Sequence, residues 1–381
     1  MGLITALGPL AIDMYLPAFP SIAADLDVSP GYVERTLASY LFGLAMAQLA
    51  YGPLADRFGR KRPLLLGLCI YIVASMGSAA TADVVRLTFW RILQAFGGAA
   101  GMVIPRAVIR DNFDTRDASK ALSVLMLVMG ATPILAPILG GQVLVLADWR
   151  WIFHVMTLLA ATLLITAVVS MRETLNPAHV ASLRVTNIAR NYLELLKHRR
   201  FMCYSLAGGF GSAGMFSYIA GSPRVFIEIY GVKPQYFGLL FGLNAAAFIT
   251  TAQLSARLLN RYTPEQLLRT AQKTLVAATV VGLLLTLADL LPLPLLMLCL
   301  IGFMGSQGFV NPNAAALALH EQGHRLGAAS AMMGTLQMLC GATAGTLVSL
   351  WQAPSALPLT GLLTLCAVLS WTAGRLAEPG A

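Results

Sequence analysis

Long, continuously apolar runs recur along this chain, separated by short polar breaks. A helix needs about 20 mostly apolar residues to cross a hydrocarbon core about 30 Å thick. Twelve runs approach or exceed that length, at residues 3–24, 34–54, 63–80, 84–109, 118–146 and 149–171, then 201–221, 237–258, 267–288, 293–319, 327–350 and 358–376. They are uninterrupted, whereas the strands of a membrane barrel alternate over about ten residues, so the pattern predicts an all-α membrane protein. The first run opens at residue 3 without a basic flank and continues through Pro17 and Pro20. It is expected to be a retained helix rather than a cleaved signal.

The one long polar stretch lies at residues 172–200, between the sixth and seventh runs, and carries Asn176, Pro177 and the basic cluster His198–Arg200. It divides the chain into an N-terminal six-helix bundle at 1–171, a cytoplasmic linker at 172–200 and a C-terminal six-helix bundle at 201–381. A faint echo supports duplication: the charged string Asp56–Arg62 after the second run has a basic counterpart, Arg257–Arg261, after the eighth. Two six-helix halves suggest a transporter with its site where the halves meet.

Composition strengthens the membrane reading. Of 381 residues, 57% are hydrophobic and 11% charged, against about 25% charged in ordinary soluble chains. A cytosolic enzyme or a nucleic-acid reader could not hide so much apolar surface. The net charge of +9 is a topology signal, because cytoplasmic loops accumulate lysine and arginine. With both termini inside, inner loops and helix ends hold 19 of the 26 basic residues and outer ones hold five; Arg91 and Arg106 lie within the fourth run. Anionic lipid headgroups are the natural partners of that basic face. Five cysteines in apolar runs, with no CxxC spacing, imply neither a disulfide framework nor a zinc cluster.

Of the seventeen acidic residues, Asp13 alone is placed near the middle of a run. Ten residues beyond Leu3, at about 1.5 Å each, put it about 15 Å deep. A lone carboxylate at that depth costs about 2.5–3.5 kcal/mol on insertion scales, so it should face a cavity or a partner, where its protonation can follow access to water. The alternative is a structural, hydrogen-bonded acid. Arg91 is the deeper of the two buried cations; it stays charged and must find a carboxylate, carbonyl or water. Arg106, one turn before Arg110, could instead snorkel to the inner surface.

The string Gly52-Pro-Leu-Ala-Asp56-Arg57-Phe-Gly59-Arg60-Lys-Arg62 is the most specific in the chain. Gly52 and Gly59 should permit close packing and a tight turn, and Asp56 can pair locally or face a helix N-terminus. Pro133 and Pro137, leading into Gly140-Gly141, should free backbone carbonyls, bend their helix and allow close contact. Polar and aromatic residues within other runs are candidates for a substrate cavity: Tyr15, Tyr40, Gln48, Phe216, Tyr218, Asn244, Gln307, Asn311, Asn313 and Gln337. Single polar residues in spanning helices also serve as glue between helices.

His320-Glu321-Gln322-Gly323-His324 matches the HExxH zinc-protease string. Gly323 interrupts it, it falls in a short inner connection, and no third ligand is placed to complete a site. No metal, cofactor or catalytic residue is expected, and the string reads as a polar connecting turn.

These strings together resemble the major facilitator superfamily over essentially the whole chain. Gly52–Arg62 resembles its loop motif; Arg91 with Gln94 and Gly97-Gly98 resembles its fourth-helix motif; the fifth helix resembles its proline-glycine antiporter motif, with Ala136-Pro137 where many antiporters have Gly-Pro. More narrowly, Ile12-Asp-Met-Tyr-Leu-Pro-Ala-Phe-Pro20 is similar to the opening helix of the Bcr/CflA drug-resistance subfamily. Arg110-Asp111, Arg172-Glu-Thr-Leu175, Ala213-Gly-Met-Phe-Ser-Tyr218 and Phe226-Ile-Glu-Ile-Tyr230 are similar to it as well.

The resemblance implies a proton-coupled exporter of small, bicyclomycin-like antibiotics in a bacterial inner membrane, and a monomer is expected. Asp13 and Arg91 would serve proton coupling, and Asp13 and Arg106 would join the substrate-binding set. Asp56 would lie at an N-terminus near residues 327–330, held through Arg60 by Asp111, as a lock on the outward-facing state. Gly52, Arg57, Gly59, Pro133, Pro137, Gly140 and Gly141 would share in that conformational switch. An exporter of amino acids or small peptides on the same scaffold is the alternative.

Overall fold

A computed structural model describes residues 1–112, 115–174, 192–320, 322, 326–351, 353 and 355–377. These residues are nearly all helical. The helices cluster into two compact units: Met1–Arg184 with Pro234–Gly238, and Val185–Lys233 with Leu239–Ala381. Eleven helical segments are long and apolar enough to cross a membrane.

In the first unit the chain forms α1 (Gly2–Asp13), a 3₁₀ turn (Leu16–Ala18) and α2 (Phe19–Asp25), then α3 (Pro30–Phe58), α4 (Lys61–Ala79), α5 (Val84–Asn112), α6 (Thr115–Leu146) and α7 (Arg150–Ser170). The first spanning segment, Gly2–Asp25, is therefore broken in its middle. The cause is local: Pro17 and Pro20 have no N–H to give to the carbonyls of Asp13 and Leu16. The chain responds with a 3₁₀ bond from Ala18 N–H to the Tyr15 carbonyl, 3.1 Å.

Small residues on α5 bring the helices of this unit together. A Cβ on Gly97 would lie 2.6 Å from the Gly67 carbonyl oxygen of α4, and one on Gly98 would lie 2.9 Å from the Tyr40 hydroxyl of α3. One on Gly101 would run into the Ile4 carbonyl of α1. On α6, a Cβ on Gly140 would strike the Met14 carbonyl at the break in the first segment. Gly52 departs from this pattern and from the sequence expectation: nothing lies within 4 Å of where its Cβ would be, so no close helix contact depends on it here.

The second unit contains α8 (Arg199–Pro223), which continues into a π-helical turn (Arg224–Ile229), then α9 (Pro234–Leu258), whose first turn groups with the first unit, α10 (Pro264–Leu287), α11 (Leu293–Leu319), α12 (Leu326–Leu350) and α13 (Leu357–Leu376). α8 is the helix missing from the apolar eleven. Its 25 residues include Ser205, Gly208, Gly209, Gly211, Ser212, Gly214 and Ser217, all buried. Those small groups lower its hydropathy, and because it is packed inside protein it does not need the lipid-facing apolar surface its neighbours carry.

Two substitutions test this account of packing. Gly97→Ala should cost about 1–3 kcal/mol of stability through overpacking, read as a lower thermal midpoint of purified protein. Gly52→Ala should change stability by less than ~1 kcal/mol, whatever it does to transport.

Candidate functional site

Arg91 lies in α5 with no exposed surface. Its Nη1 donates to Gln94 Oε1 at 2.5 Å, and its Nη2 donates to the Ala11 carbonyl at 2.8 Å. The guanidinium carbon stands 4.5 Å from the ring centroid of Tyr15, 4.3 Å from that of Tyr40 and 5.9 Å from that of Phe153. Cation–π contacts of this kind contribute about 0.5–2 kcal/mol each. The surrounding groups are in turn fixed. Gln94 Nε2 donates to Ser75 Oγ at 2.8 Å, and the Tyr15 hydroxyl is hydrogen-bonded to Thr36 Oγ1 at 2.9 Å. The Tyr40 and Tyr71 hydroxyls donate to the carbonyls of Gly8 and Leu7, each at 3.1 Å.

Three donors from α3, α4 and α5 thus hold α1 by its carbonyls at Leu7, Gly8 and Ala11. Asp13 is the last residue of α1, two places beyond the carbonyl that Arg91 holds, and is 4% exposed. Among the described residues its carboxyl makes no hydrogen bond and no ion pair. The arginine grips the backbone next to the acid rather than the acid itself.

Three residues here carry weight that sequence reasoning did not assign them. Tyr71 and Thr36 look like ordinary helix residues until their hydroxyls are seen to pair. Glu34, the first residue of the second apolar run, is an acid only 1% exposed. A signal was available: Glu34 shares its helical face with Leu37, Ala38, Leu41 and Ala45, spaced 3 or 4 apart, and all of them are buried.

At the far end of α3 a second cluster forms. The helix runs through Asp56 and Arg57 to Phe58, so the loop before α4 is only Gly59 and Arg60. Gly59 has φ +87°, a region glycine enters without steric cost. Arg60 Nη1 donates to Asp56 Oδ1 at 2.6 Å, and its Nε donates to Asp111 Oδ2 of α5 at 2.8 Å. Burial works against its charge, but the hydrogen bonds and charges of Asp111 and Asp56 prevail, so the pKa of Arg60 lies above its ordinary value.

The other expected site residues are dispersed. Arg106 is exposed, and its Nη2 reaches Met129 Sδ at 3.8 Å. Gln48 is half-buried. Pro133 and Pro137 lie within α6, and Gly141 is buried on the same helix. In the second unit Tyr218 stacks on Phe241 with centroids 5.3 Å apart and accepts from Asn244 Nδ2 at 3.1 Å. Phe216 packs against Gly341.

Gln307 Nε2 donates to the Gly211 carbonyl at 2.8 Å, joining α11 to α8, and Asn313 Nδ2 donates to Ser255 Oγ at 2.8 Å, joining α11 to α9. Asn311 and Gln337 are half-buried. Asn244 approaches α11 at Met297, sixteen positions before Asn313 and therefore about 24 Å from it along the helix. These residues do not converge on one point. His320 ends α11 exposed, while Glu321, Gly323 and His324 lie outside the described residues.

A membrane-embedded helical chain with a broken first segment and a caged arginine can now be set beside known proteins. A family model described as the Major Facilitator Superfamily matches residues 1–375. The chain belongs to that superfamily. It is a family of membrane transporters rather than enzymes, which removes the zinc-protease reading of the HExxH string. Among its relatives is YdgK of Bacillus subtilis (strain 168), an MFS-type transporter 37% identical over 97% of this chain and 92% of its own. A protein named bicyclomycin resistance protein homolog, from Haemophilus influenzae, is 33% identical over 97% of this chain and 93% of its own. One named multidrug resistance protein MdtL, from Klebsiella pneumoniae (strain 342), is 30% identical over 96% and 91%. A D-xylose–proton symporter shares the fold with a TM-score of 0.74 at 14% identity, over 97% of this chain and 96% of the other.

The cage makes a direct prediction. Lysine has one compact ammonium and cannot hold Gln94 and Ala11 together while lying over two rings. Arg91→Lys should cost roughly 1.5–3 kcal/mol, the worth of one hydrogen bond to a charged group. An unchanged thermal midpoint would show that the cage does not hold the guanidinium.

Proposed function

We propose that this transporter exports small antibiotics of the bicyclomycin kind across a bacterial inner membrane in exchange for protons. The observation that supports this reading is Asp13: a buried carboxyl with no ion partner among the described residues, at a helix break, beside an arginine compensated by neutral groups. An acid already paired with Arg91 would have little reason to change protonation. One left unpaired can take up or lose a proton whenever access to water changes sides. The names of the Haemophilus and Klebsiella relatives favour drugs as the cargo.

In this mechanism the two units rock about a central cavity in alternating access. Deprotonated Asp13 helps bind the drug from the cytoplasm, and protonation from outside weakens binding and resets the carrier. Each proton entering releases about 2.3 kcal/mol per 100 mV of membrane potential. The Asp56–Arg60–Asp111 cluster acts as a switch that favours one facing state. Both termini lie in the cytoplasm, where the basic loops meet anionic lipids, and the chain works as a monomer. Tyr15, Tyr40 and the dispersed polar residues of the second unit are candidates for drug contact. Export of amino acids or small peptides on the same scaffold is the second reading.

Asp13→Asn should abolish proton-dependent bicyclomycin transport in everted vesicles while leaving folded protein in the membrane. Normal export by that variant would remove Asp13 from the coupling scheme. Asp56→Ala should lower the maximal rate about 3–10-fold, a loss of roughly 0.6–1.4 kcal/mol in the rate-limiting step, with little change in KM. A changed KM at an unchanged rate would refute the switch role.

A further inference from the structure

The segment that leaves α7 returns to the inner face of its own unit. α7 ends at Ser170, and Glu173, three residues on, reaches the start of α4. Its Oε1 accepts from the Arg60 backbone N–H at 2.7 Å, and its Oε2 accepts from the Lys61 N–H at 3.1 Å. The first N–H groups of a helix have no partner within it, and a carboxylate there also meets the positive end of the helix dipole. The residue at the cap position of α4, Arg60, offers no capping side-chain bond of its own. Its guanidinium is committed to Asp56 and Asp111 instead.

Three further details converge on the same contact. Gly59 is left-handed, and a Cβ there would collide with the Glu173 carboxyl. Lys61 Nζ donates to the Val168 carbonyl of α7 at 2.9 Å. Thr174 Oγ1 lies 3.5 Å from Asp111 Oδ2. Arg60 is therefore held at both ends: its side chain by the two aspartates, its backbone by Glu173.

We propose that Glu173 is a positioning residue for the inner-face switch: its carboxylate fixes the Gly59–Lys61 turn so that Arg60 can span Asp56 and Asp111. Glu173 is the second residue of the polar segment between the two halves of the sequence, so the clasp also ties that segment to the switch. The inference rests on reading the Asp56–Arg60–Asp111 cluster as a switch. Glu173 is exposed to solvent, and a purely decorative surface contact would leave both local structure and transport unchanged when removed.

The test has two arms, both on the full chain. Hydrogen–deuterium exchange should show the amides of Arg60 and Lys61 exchanging about tenfold faster in Glu173→Ala, the signature of a local opening. Bicyclomycin transport in everted vesicles should lose about 3–10-fold in maximal rate with KM held within about twofold, matching Asp56→Ala measured alongside. Gly59→Ala should slow transport too, and Gly59→Ala combined with Glu173→Ala should be less impaired than the product of the two, since the collision partner is gone. Unaltered exchange at Arg60 and Lys61 would overturn the clasp. Faster exchange with normal transport would overturn its role while sparing the switch if Asp56→Ala is slow. Normal transport in both variants would overturn the switch reading and this inference together.

Discussion

A guanidinium buried among spanning helices must be compensated, and the way Arg91 is compensated shapes everything around it. Its partners are a backbone carbonyl, a glutamine and aromatic rings, none of which carries a formal charge. Because one of those partners is the Ala11 carbonyl, the cation is tied to the first spanning segment one half-turn before that segment breaks. Tyr40 and Tyr71 add two more ties to the same helix. The break itself needs only two prolines, but its position beside a fixed cation is a product of packing, made possible by glycines on α5 and α6 that let backbones approach.

The end of the first unit at Gly59 solves its charge problem differently. At Gly59 the chain is near water, so full ion pairs are cheap to form, and Arg60 takes two carboxylates from different helices. Arg60 and Arg91 thus illustrate two regimes. A cation in the interior is held by dipoles and rings, and a cation at the rim is held by acids. The first arrangement leaves the nearby Asp13 carboxyl without an ion pair among the described residues. The second joins α3, α5 and the segment that follows α7.

In the second unit polarity serves cohesion. Gln307, Asn313 and Gln272 each bond across to another helix, which in a low-dielectric setting replaces the hydrophobic drive that packs soluble cores. α8 shows the consequence for sequence reading: its small residues suit a buried helix and for that reason make it look less like a membrane span than its neighbours.

The sequence by itself determined that the chain is helical and membrane-embedded, because an unbroken apolar run of about 20 residues satisfies its own backbone in lipid as a helix, whereas barrel strands alternate. It also singled out Asp13, Arg91 and the Asp56–Arg60 string, because charges are so rare in such segments that each one is conspicuous. What tertiary structure decided was pairing. Whether Arg91 meets Asp13 or a carbonyl, whether Gly52 packs tightly, whether Glu34 is a rim charge or a buried one, and where Glu173 lands all depend on which helix faces which. Those choices are made by contacts between residues as much as 113 positions apart, and neither hydropathy nor local spacing carries information over that distance.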